Sequence, residues 1–580
     1  MRCRDLLTAR RNVLAAAVAA GGLALAASPA IASSAAHRGA EKLAKVDHIV
    51  VIYQENHSFD NLYGGWEGVN GLASADPAHT TQVNQAGAPF GCLKQNDPSL
   101  TSPPLSVTCS DLANGIDSHF ANSPFGIDAF IPPTATTCPN GTPGGAPGGC
   151  TRDLVHRYYQ EQYQLDGGRQ DRYVTGSDAI GLTMGTYDTT QLPIYGYLHG
   201  KDHPGYAIAD NFFQGAFGGS FLNHQWLIAG ATPTFPGAPT DLHAVVDANG
   251  MPANYPLYAS PLGSAVKDPG LTASCPPAGR PPTPAGVQCG DYAVNTMQPA
   301  YQPFAPGTAA ARRLPPQHGT TIGDELSAAG VDWAWYAGGW SNANGDVDAP
   351  GWTNGHGPTA CSDPSTIAGA SFPNCPNTLF QFHHQPFNYF ADYAPGTAAR
   401  AKHLRDEEEF VAQAKASTRT CNLKAVSFVK PIGAENEHPG YTSVTRGSGH
   451  VVDLLQAINT SRCAKDTMVV VTYDEFGGSW DHVPPPGQGN DNGPHDAWGP
   501  GTRVPALVLA PRLHDDFVVD HTEHDTTSVL ATIEHRFGLP ALGSRDAAVP
   551  DLSSVFTARE ARGHQGSADG PDGVQAQATR

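Results

Sequence analysis

The chain has 580 residues, of which 40% are hydrophobic and 15% are charged, and its formal net charge at pH 7 is −20. This apolar content is enough for a large core, and α/β enzymes of this length are often a single elaborated domain. The negative charge argues against a nucleic-acid-binding protein, which needs a basic surface to displace counterions from phosphates. It also provides no long-range attraction to anionic lipid surfaces.

The first 32 residues have the pattern of an export signal. Four arginines come before an apolar run at residues 13–27, and Ala30-Ile31-Ala32 then offers a small-residue cleavage site. The apolar run is too short to span a bilayer comfortably, so we expect no stable membrane span. We predict that residues 1–32 are removed and that the mature protein is periplasmic or secreted. An uncleaved amphipathic anchor is the alternative, and Sec and twin-arginine export both remain open.

The cysteine count agrees with export. Ten cysteines follow the signal, and they occur as neighbouring couples in stretches where a cross-link would supply order that packing cannot. No CxxC or Cys/His spacing indicates a structural zinc site. The predicted disulfide pairs are Cys92/Cys109, Cys138/Cys150, Cys275/Cys289, Cys361/Cys375 and Cys421/Cys463.

Strand and helix patterns alternate along the rest of the chain. The predicted strands are residues 46–53, 331–336, 425–429, 467–473 and 504–510. The predicted helices are residues 321–329, residues 401–416 with the acidic run 406–409 on a solvated face, a helix carrying Val451, Leu454, Leu455 and Ile458, and residues 526–537. This alternation predicts an α/β layered domain with a mostly parallel sheet.

Three stretches rich in Pro, Gly, Thr and Cys interrupt this alternation. They lie near residues 87–149, 233–316 and 342–376, and we interpret them as disulfide-tied loop insertions. We therefore predict one catalytic domain over residues 46–555, followed by a polar, mobile tail at residues 556–580.

Two predicted strands end in carboxylate and amide side chains. The first strand leads into Gln54-Glu55-Asn56, and the strand at residues 467–473 leads into Asp474-Glu475. In parallel sheets, binding sites collect at the carboxyl ends of strands. Buried carboxylates there are costly unless they are paired, and a divalent cation held by hard oxygen ligands would pair them. The alternative is that Glu55 and Asp474 cap helices or pair with arginine.

A glycine-rich turn supplies a candidate nucleophile. Gly218-Gly219 permits a tight turn, and Ser220 then opens an apolar helix-like run. A hydroxyl at a helix N-terminus lies next to backbone N–H groups and a favourable dipole, which suits a phosphoester oxygen. The alternative for Ser220 is a plain helix cap.

Four of the 24 histidines stand out from the others by their sequence context. They are His156, the adjacent pair His383 and His384, and His438. We expect His37, His79, His403 and His564 to be surface or satisfied core residues, and we leave open whether His482 supports the site or is structural.

Two segments together resemble a known family. Glu55-Asn56-His57-Ser58-Phe59-Asp60 and the segment from Thr472 to Gly478, followed by Asp481-His482-Val483-Pro484, are similar to the two signatures of the bacterial phosphoesterase family that contains non-specific phospholipases C and secreted acid phosphatases. Glu437-His438-Pro439 and Asp520-His521-Thr522 fit the same family. The resemblance implies an alkaline-phosphatase-like α/β/α sandwich and metal-assisted phosphoester hydrolysis.

The resemblance also implies residue roles. The turn before Ser220 and the His383-His384 pair are similar to the acid phosphatase branch, so Ser220 is the expected nucleophile. The expected ligands of one divalent metal ion, whose identity stays open, are Glu55, Asn56, Ser220, Asp474 and Glu475. The residues expected to face the phosphate are Asn56, His156, His383, His384 and His438.

We therefore expect a phosphoric ester hydrolase that forms a phosphoserine intermediate, acting as an acid phosphatase on phosphomonoesters. The alternative is a phospholipase C that cleaves phosphatidylcholine-type diesters, so the partner is a small phosphorylated substrate or a phospholipid headgroup. An α/β-hydrolase is disfavoured because no serine has glycine at both −2 and +2. Histidines around the phosphate would gain charge as the pH falls through about 6.5, which favours an acidic optimum. The oligomeric state stays open.

Overall fold

The computed structural model describes residues 29–95, 100, 105–134, 152–201, 203–276, 288–356, 360–489 and 493–559. Most of the predicted export signal, the cysteine couple Cys138/Cys150 and nearly all of the predicted tail lie outside these residues. The boundaries of the predicted domain and insertions therefore remain predictions.

The secondary structure alternates as expected, with further short elements in the loops. The strands are β1 (His48–Gln54), β2 (Cys109–Asp111), β3 (Ile116–Ser118), β4 (Phe125–Gly126), β5 (Gly185–Thr186), β6 (Tyr206–Ala209), β7 (Phe212–Phe213), β8 (Trp333–Ala337), β9 (Leu404–Asp406), β10 (Val426–Lys430), β11 (Thr467–Tyr473), β12 (Ala506–Leu509), β13 (Phe517–Asp520) and β14 (His524–Asp525). The helices are α1 (Pro29–Leu43), α2 (Phe59–Leu62), α3 (Pro77–Thr80), α4 (Tyr158–Leu165), α5 (Pro193–Leu198), α6 (Ser220–Ala229), α7 (Ile322–Ala328), α8 (Trp340–Asn344), α9 (Ala398–His403), α10 (Glu407–Ala416), α11 (Val444–Asn459) and α12 (Thr527–Phe537).

Eight strands form one central sheet in the order β13-β6-β12-β11-β1-β10-β8-β9. β1 lies in the middle and pairs in parallel with β10 on one side and β11 on the other. Only β12 runs against the other strands of this sheet, because it pairs antiparallel with both β11 and β6. The predicted mostly parallel sheet is therefore confirmed.

Helices cover both faces of the sheet. Successive side chains of a strand point to opposite faces, and in β8 the ring of Tyr336 packs on Phe410 of α10. Its neighbour Trp335 faces the other way, towards His224 of α6, with the two ring centroids 6.2 Å apart. Gly323 of α7 lies against Trp333 on this same side. This arrangement is the predicted α/β/α sandwich.

The predicted helix at residues 401–416 is wrong in its detail. The structure divides it into α9 and α10, with the edge strand β9 between them. Asp406 was expected on a solvated face, but it is 3% exposed and caps α10 by accepting from Glu408 N. The helical sequence pattern does not indicate this break. The break depends on a tertiary contact, because Asp406 accepts a hydrogen bond from Ser341 N.

Four of the five predicted disulfides lie within the described residues, and all four are formed. They are Cys92–Cys109, Cys275–Cys289, Cys361–Cys375 and Cys421–Cys463. Short sequence separations of 14 to 17 residues in three of them explain why nearest-neighbour pairing was a good prediction. Among the helices that the structure describes, none is long and apolar enough to cross a membrane.

Candidate active site

The carboxyl ends of β1, β10 and β11 bring charged side chains to one edge of the sheet. Glu55 and Asn56 follow β1, and Asp474 and Glu475 follow β11; Lys430 is the last residue of β10. All five side chains are at most 1% exposed. The positive φ of 64° at Asn56 turns the backbone sharply at the strand end, and its N–H donates to Asp474 Oδ1 at 3.2 Å.

Ser220 is the first residue of α6 and faces this edge. Its Oγ donates a hydrogen bond to Glu55 Oε2 at 3.1 Å. The cap of α6 is Gly219, and no hydrogen bond from a side chain caps the helix. The plain helix-cap interpretation of Ser220 is therefore wrong, and the hydroxyl is directed at a carboxylate instead.

Asn56 connects two of the predicted histidines. Its Nδ2 lies 3.3 Å from Nε2 of His156 and 3.3 Å from Nε2 of His438. The Nδ1 atoms of these rings contact the carbonyl oxygens of Leu154 and Pro439 at 2.6 and 2.8 Å. A ring that donates through Nδ1 leaves Nε2 as an acceptor. Asn56 therefore donates to both imidazoles and sets their orientation.

His383 and His384 lie beside Glu55. His384 Nδ1 is 3.3 Å from Glu55 Oε1, and the centroids of the His383 and His384 rings are 4.4 Å apart. His156 Nε2 lies 3.6 Å from Glu475 Oε1. The structure thus brings all nine predicted site residues together, although their individual roles remain predictions.

Two buried site residues were missed in the sequence. Lys430 forms an ion pair with Glu55 Oε1 and donates to Tyr53 O at 3.0 Å. His224 stacks on His384 with ring centroids 4.7 Å apart. The signal for Lys430 was a charged residue ending the apolar run Val426–Lys430, which has the same pattern that pointed to Glu55. His224 lies one turn after Ser220, on the same face of α6.

The carboxylates have too few partners for their burial. Burial, together with the charge of Asp474, raises the pKa of Glu55 and of Glu475 well above the usual value, and burial raises the pKa of Asp474. Asp474 Oδ2, Glu475 Oε1 and Asn56 Oδ1 are buried without a hydrogen bond. These atoms belong to the predicted metal ligands, and oxygen donors of this type suit a hard divalent cation. The residues present therefore fit a metal ion.

A second buried cluster of charges lies close by in sequence but is saturated. Asp60 and Asp481 share Arg503, whose Nη2 donates to Asp60 Oδ1 at 3.1 Å and whose Nε donates to Asp481 Oδ1 at 3.0 Å. His482 Nδ1 lies 2.6 Å from Asp60 Oδ2. The question left open for His482 is thus answered in favour of a structural role. His403 is a satisfied core residue, since it stacks on Trp333 and contacts its carbonyl oxygen.

Ser220 opens into a cavity of about 510 Å³. His156, His383 and His438 line the same cavity. Its wall also contains charged and polar groups, Asp153, Arg157, Asp178 and Asn295, together with the rings of Tyr255 and Tyr441. The cavity is large enough for a phosphorylated small molecule beside the serine.

The expected gain of charge on the histidines is wrong for three of the four. Burial, together with the positive charge of Lys430, lowers the pKa of His383 to about 3. Burial and the neighbouring imidazoles also lower the pKa of His384 and His438 well below the usual value. The usual pKa of a histidine applies to a solvated imidazole, whereas these rings are enclosed by protein.

Two solved structures from the alkaline phosphatase and sulfatase groups resemble the chain distantly. One, a protein in the alkaline phosphatase superfamily from Vibrio parahaemolyticus, has 13% identity and a TM-score of 0.22, covering 40% of this chain and 51% of that one. A putative sulfatase from Bacteroides thetaiotaomicron has 12% identity and a TM-score of 0.27, covering 65% and 73%. These likenesses are too distant to bear on the activity.

Relatives in sequence are closer. Phospholipase C A of Mycobacterium tuberculosis is 24% identical over 543 residues, covering 89% of this chain and 78% of the relative. Non-specific phospholipase C6 of Arabidopsis thaliana is 28% identical over 208 residues, covering 33% and 38%. The family model of the Phosphoesterase family matches residues 46–540, which include the whole site. The chain therefore belongs to the Phosphoesterase family.

Proposed function

We propose that this protein hydrolyses phosphate esters through a phosphoserine intermediate on Ser220, with one divalent metal ion, and that it acts as an acid phosphatase on phosphomonoesters. Family membership supports phosphoester hydrolysis. The observation that carries the proposal is the Ser220 hydroxyl hydrogen-bonded to buried Glu55, beside carboxylate oxygens without partners and inside a cavity lined by histidines.

The residues that would hold the metal are Glu55, Asn56, Ser220, Asp474 and Glu475. When bound, a divalent cation lowers the pKa of a hydroxyl and polarises a phosphoryl oxygen. Ser220 Oγ attacks phosphorus, and its proton passes to Glu55 Oε2, the acceptor of its hydrogen bond. The bond from phosphorus to the leaving alkoxide breaks, and water later cleaves the phosphoserine.

The other side chains orient the phosphate and complete the proton balance. Asn56 Nδ2 donates its two N–H groups to His156 and His438 in the substrate-free site, and one of them would turn to an equatorial phosphoryl oxygen when the substrate binds. The leaving alkoxide takes its proton from water in the cavity, because burial keeps His383 and His438, which line the cavity with Ser220, neutral. The positive charge of Lys430 offsets part of the negative charge of the carboxylates at this edge.

The cavity wall supports a monoester with a polar leaving group. In a phospholipase C reaction the leaving group is a diacylglycerol, which needs an apolar exit path. Here Asp153, Arg157, Asp178 and Asn295 stand in the wall of the cavity that contains Ser220. Acyl chains against these charged and polar groups would remove water from them and offer no polar contact in return.

The second candidate is a phospholipase C, and the names of the relatives favour it. Both relatives reported above are phospholipases C, and the one from Mycobacterium tuberculosis matches most of this chain. This candidate shares the nucleophile and metal residues with the first. It differs in the leaving group that the cavity must accommodate, which is a diacylglycerol.

Purified protein should be assayed against a phosphomonoester, a phosphodiester and phosphatidylcholine vesicles, between pH 4.5 and 8, with and without a chelator. The resemblance to the acid phosphatase branch, rather than the buried histidines, predicts the highest kcat/KM for the monoester on the acidic side of neutrality, and we expect loss of turnover with chelator. Greater turnover of phosphatidylcholine near neutral pH would replace the first candidate with the second. Activity that survives complete metal removal would contradict both.

Action outside the cytoplasm is also part of the proposal. Four formed disulfides support it, because such bonds persist in oxidising compartments. Denatured but unreduced protein, isolated from its natural host, should contain almost no free thiol. Several reactive thiols in that titration would contradict the proposed compartment.

A further inference from the structure

Glu161 is a buried carboxylate that has no role in the proposed reaction. It lies on α4, is 0% exposed, and accepts four hydrogen bonds. Thr502 N and Thr502 Oγ1 donate to its Oε1 at 2.7 and 2.9 Å. Gly218 N and Gln214 Nε2 donate to its Oε2 at 2.5 and 3.0 Å. None of these donors is a cation, so only neutral dipoles stabilise the ionised form of Glu161.

Those donors come from the segments that form the active site. Gly218 lies two residues before Ser220, in the turn that starts α6. Gln214 bridges further, because its Oε1 accepts from Phe476 N at 3.0 Å, two residues after Asp474. The start of α4 is itself close to His156. One carboxylate therefore connects the nucleophile turn, the end of β11 and the segment that carries a phosphate-facing histidine.

The nucleophile turn also packs tightly on α4. Gly218 has a φ of +93°, and a Cβ there would lie 2.7 Å from Tyr158 N. At Gly219 a Cβ would lie 2.8 Å from His156 O. Only glycine permits this approach of two backbones, and Glu161 supplies the polar contact that keeps them together.

The buried carboxylate of Glu161 destabilises the folded state, and the packing around it does not require a charged group. Burial raises the pKa of Glu161 to about 7, even though four donors oppose the shift. A folded protein keeps such a group at the expense of stability. A function for the intact carboxylate would account for its presence.

We propose that Glu161 is a positioning residue for Ser220: its carboxylate holds the Gly218 turn against α4, so that the Ser220 hydroxyl is directed at Glu55. This inference rests on the proposed role of Ser220 as the nucleophile. A glutamine at position 161 has one acceptor oxygen instead of two, so either the Gly218 side or the Thr502 side must face an N–H₂ group. Displacement of a reacting group by about 1 Å can cost on the order of 100-fold in rate.

The test compares Glu161→Gln with the wild type in kinetics, metal content and amide hydrogen exchange. We expect kcat to fall about 10- to 100-fold, with KM and metal content close to those of the wild type. Amides in residues 215–223 should exchange faster, while those of β1 and β11 stay protected. Glu534→Gln is the matched control, since Glu534 is a 2% exposed carboxylate on α12 that bonds Leu542 N outside the site; it should keep the wild-type kcat.

Three outcomes would overturn the inference. They are wild-type kcat in Glu161→Gln, unchanged protection at residues 215–223, or a loss of protection spread over the whole sheet together with loss of metal. If the wild type hydrolyses no phosphoester, the proposed function fails, and the exchange measurement still decides whether Glu161 holds the turn.

Discussion

Two clusters of buried charge are close to each other along the chain, and they differ in how completely their carboxylate oxygens are hydrogen-bonded. Glu55 and Asp474 belong to one, and Asp60 and Asp481 belong to the other, five and seven residues further along the chain. In the second cluster, Arg503, His482 and backbone N–H groups use every carboxylate oxygen. In the first, the only ion pair to a lysine is the one between Lys430 and Glu55 among the described residues, and some carboxylate oxygens have no hydrogen bond.

This difference in hydrogen bonding distinguishes a structural cluster from a functional one. A saturated buried cluster holds segments in place, and removing one partner leaves a charge unpaired. An unsaturated cluster is destabilising by itself, so its presence indicates a ligand that completes it. The two clusters are similar in burial and residue type. A carboxylate substitution in one cluster is therefore a matched control for the same substitution in the other.

Ser220→Ala should produce the largest effect. Turnover should fall at least about 1000-fold, because no other group described at this edge replaces the nucleophile. The free energy of unfolding should change by less than about 1 kcal/mol, since Ser220 makes no capping hydrogen bond. Steady-state kinetics and chemical denaturation measure both quantities. Retention of more than a few per cent of activity would mean that another residue is the nucleophile.

Asp481→Asn and Asp474→Asn should affect stability in opposite directions. Asp481→Asn weakens the pairing of buried Arg503 and should cost about 3 kcal/mol of unfolding free energy, with metal affinity unchanged. Asp474→Asn removes one of three mutually repelling carboxylates, so the chelator-treated protein should be as stable as the wild type or more stable. Its metal content and activity should fall together, because an amide is a poorer ligand for a hard cation.

Denaturation in the presence of chelator, together with elemental analysis, decides this pair. Full metal occupancy in Asp474→Asn would remove that residue from the ligand set. Equal losses of stability in both variants would show that the two clusters do not differ in the way described.

A partly buried ion pair, between His450 and Glu407, should give a smaller, pH-dependent effect. Burial lowers the pKa of His450, but the hydrogen bond and charge of Glu407, at 2.6 Å, outweigh it and raise the pKa to about 9. A raised histidine pKa stabilises the fold fully below about 6.5, and this contribution is lost as the pH rises through 9. We expect on the order of 2 kcal/mol to be lost over this interval. His450→Gln should abolish that part of the slope; an unchanged slope would contradict the pairing.

The smallest effect is expected at a helix cap that belongs to neither charged cluster. Thr321 caps α7 and forms a capping box with Asp324. Thr321→Ala should cost about 1 kcal/mol of unfolding free energy, with kcat and metal content unchanged. Denaturation and kinetics on the same preparation show whether stability alone alters turnover. A large loss of turnover in this variant would show that a small loss of stability by itself reduces activity.

Several features followed directly from the sequence. The apolar run of β11 (Thr467–Tyr473) has the bounds predicted from its pattern, and Val451, Leu454, Leu455 and Ile458 are buried on α11. Four neighbouring cysteine couples are joined. Local signals suffice in these cases, because hydrophobic periodicity and short loops depend on residues that are near in the chain.

The sequence also determined which side chains meet at the site, because parallel strands with polar ends deliver Glu55 and Asp474 to one edge. Only the tertiary structure decided how these groups are satisfied. It placed Lys430 against Glu55, enclosed His383 so that its pKa falls, paired Asp60 with Arg503, and put four donors around Glu161. Partners for these residues come from 53 to 443 positions away, and burial is a property of the packed layers. The pattern of one segment contains neither the partner nor the burial, which is why the edge strand β9 was also missed.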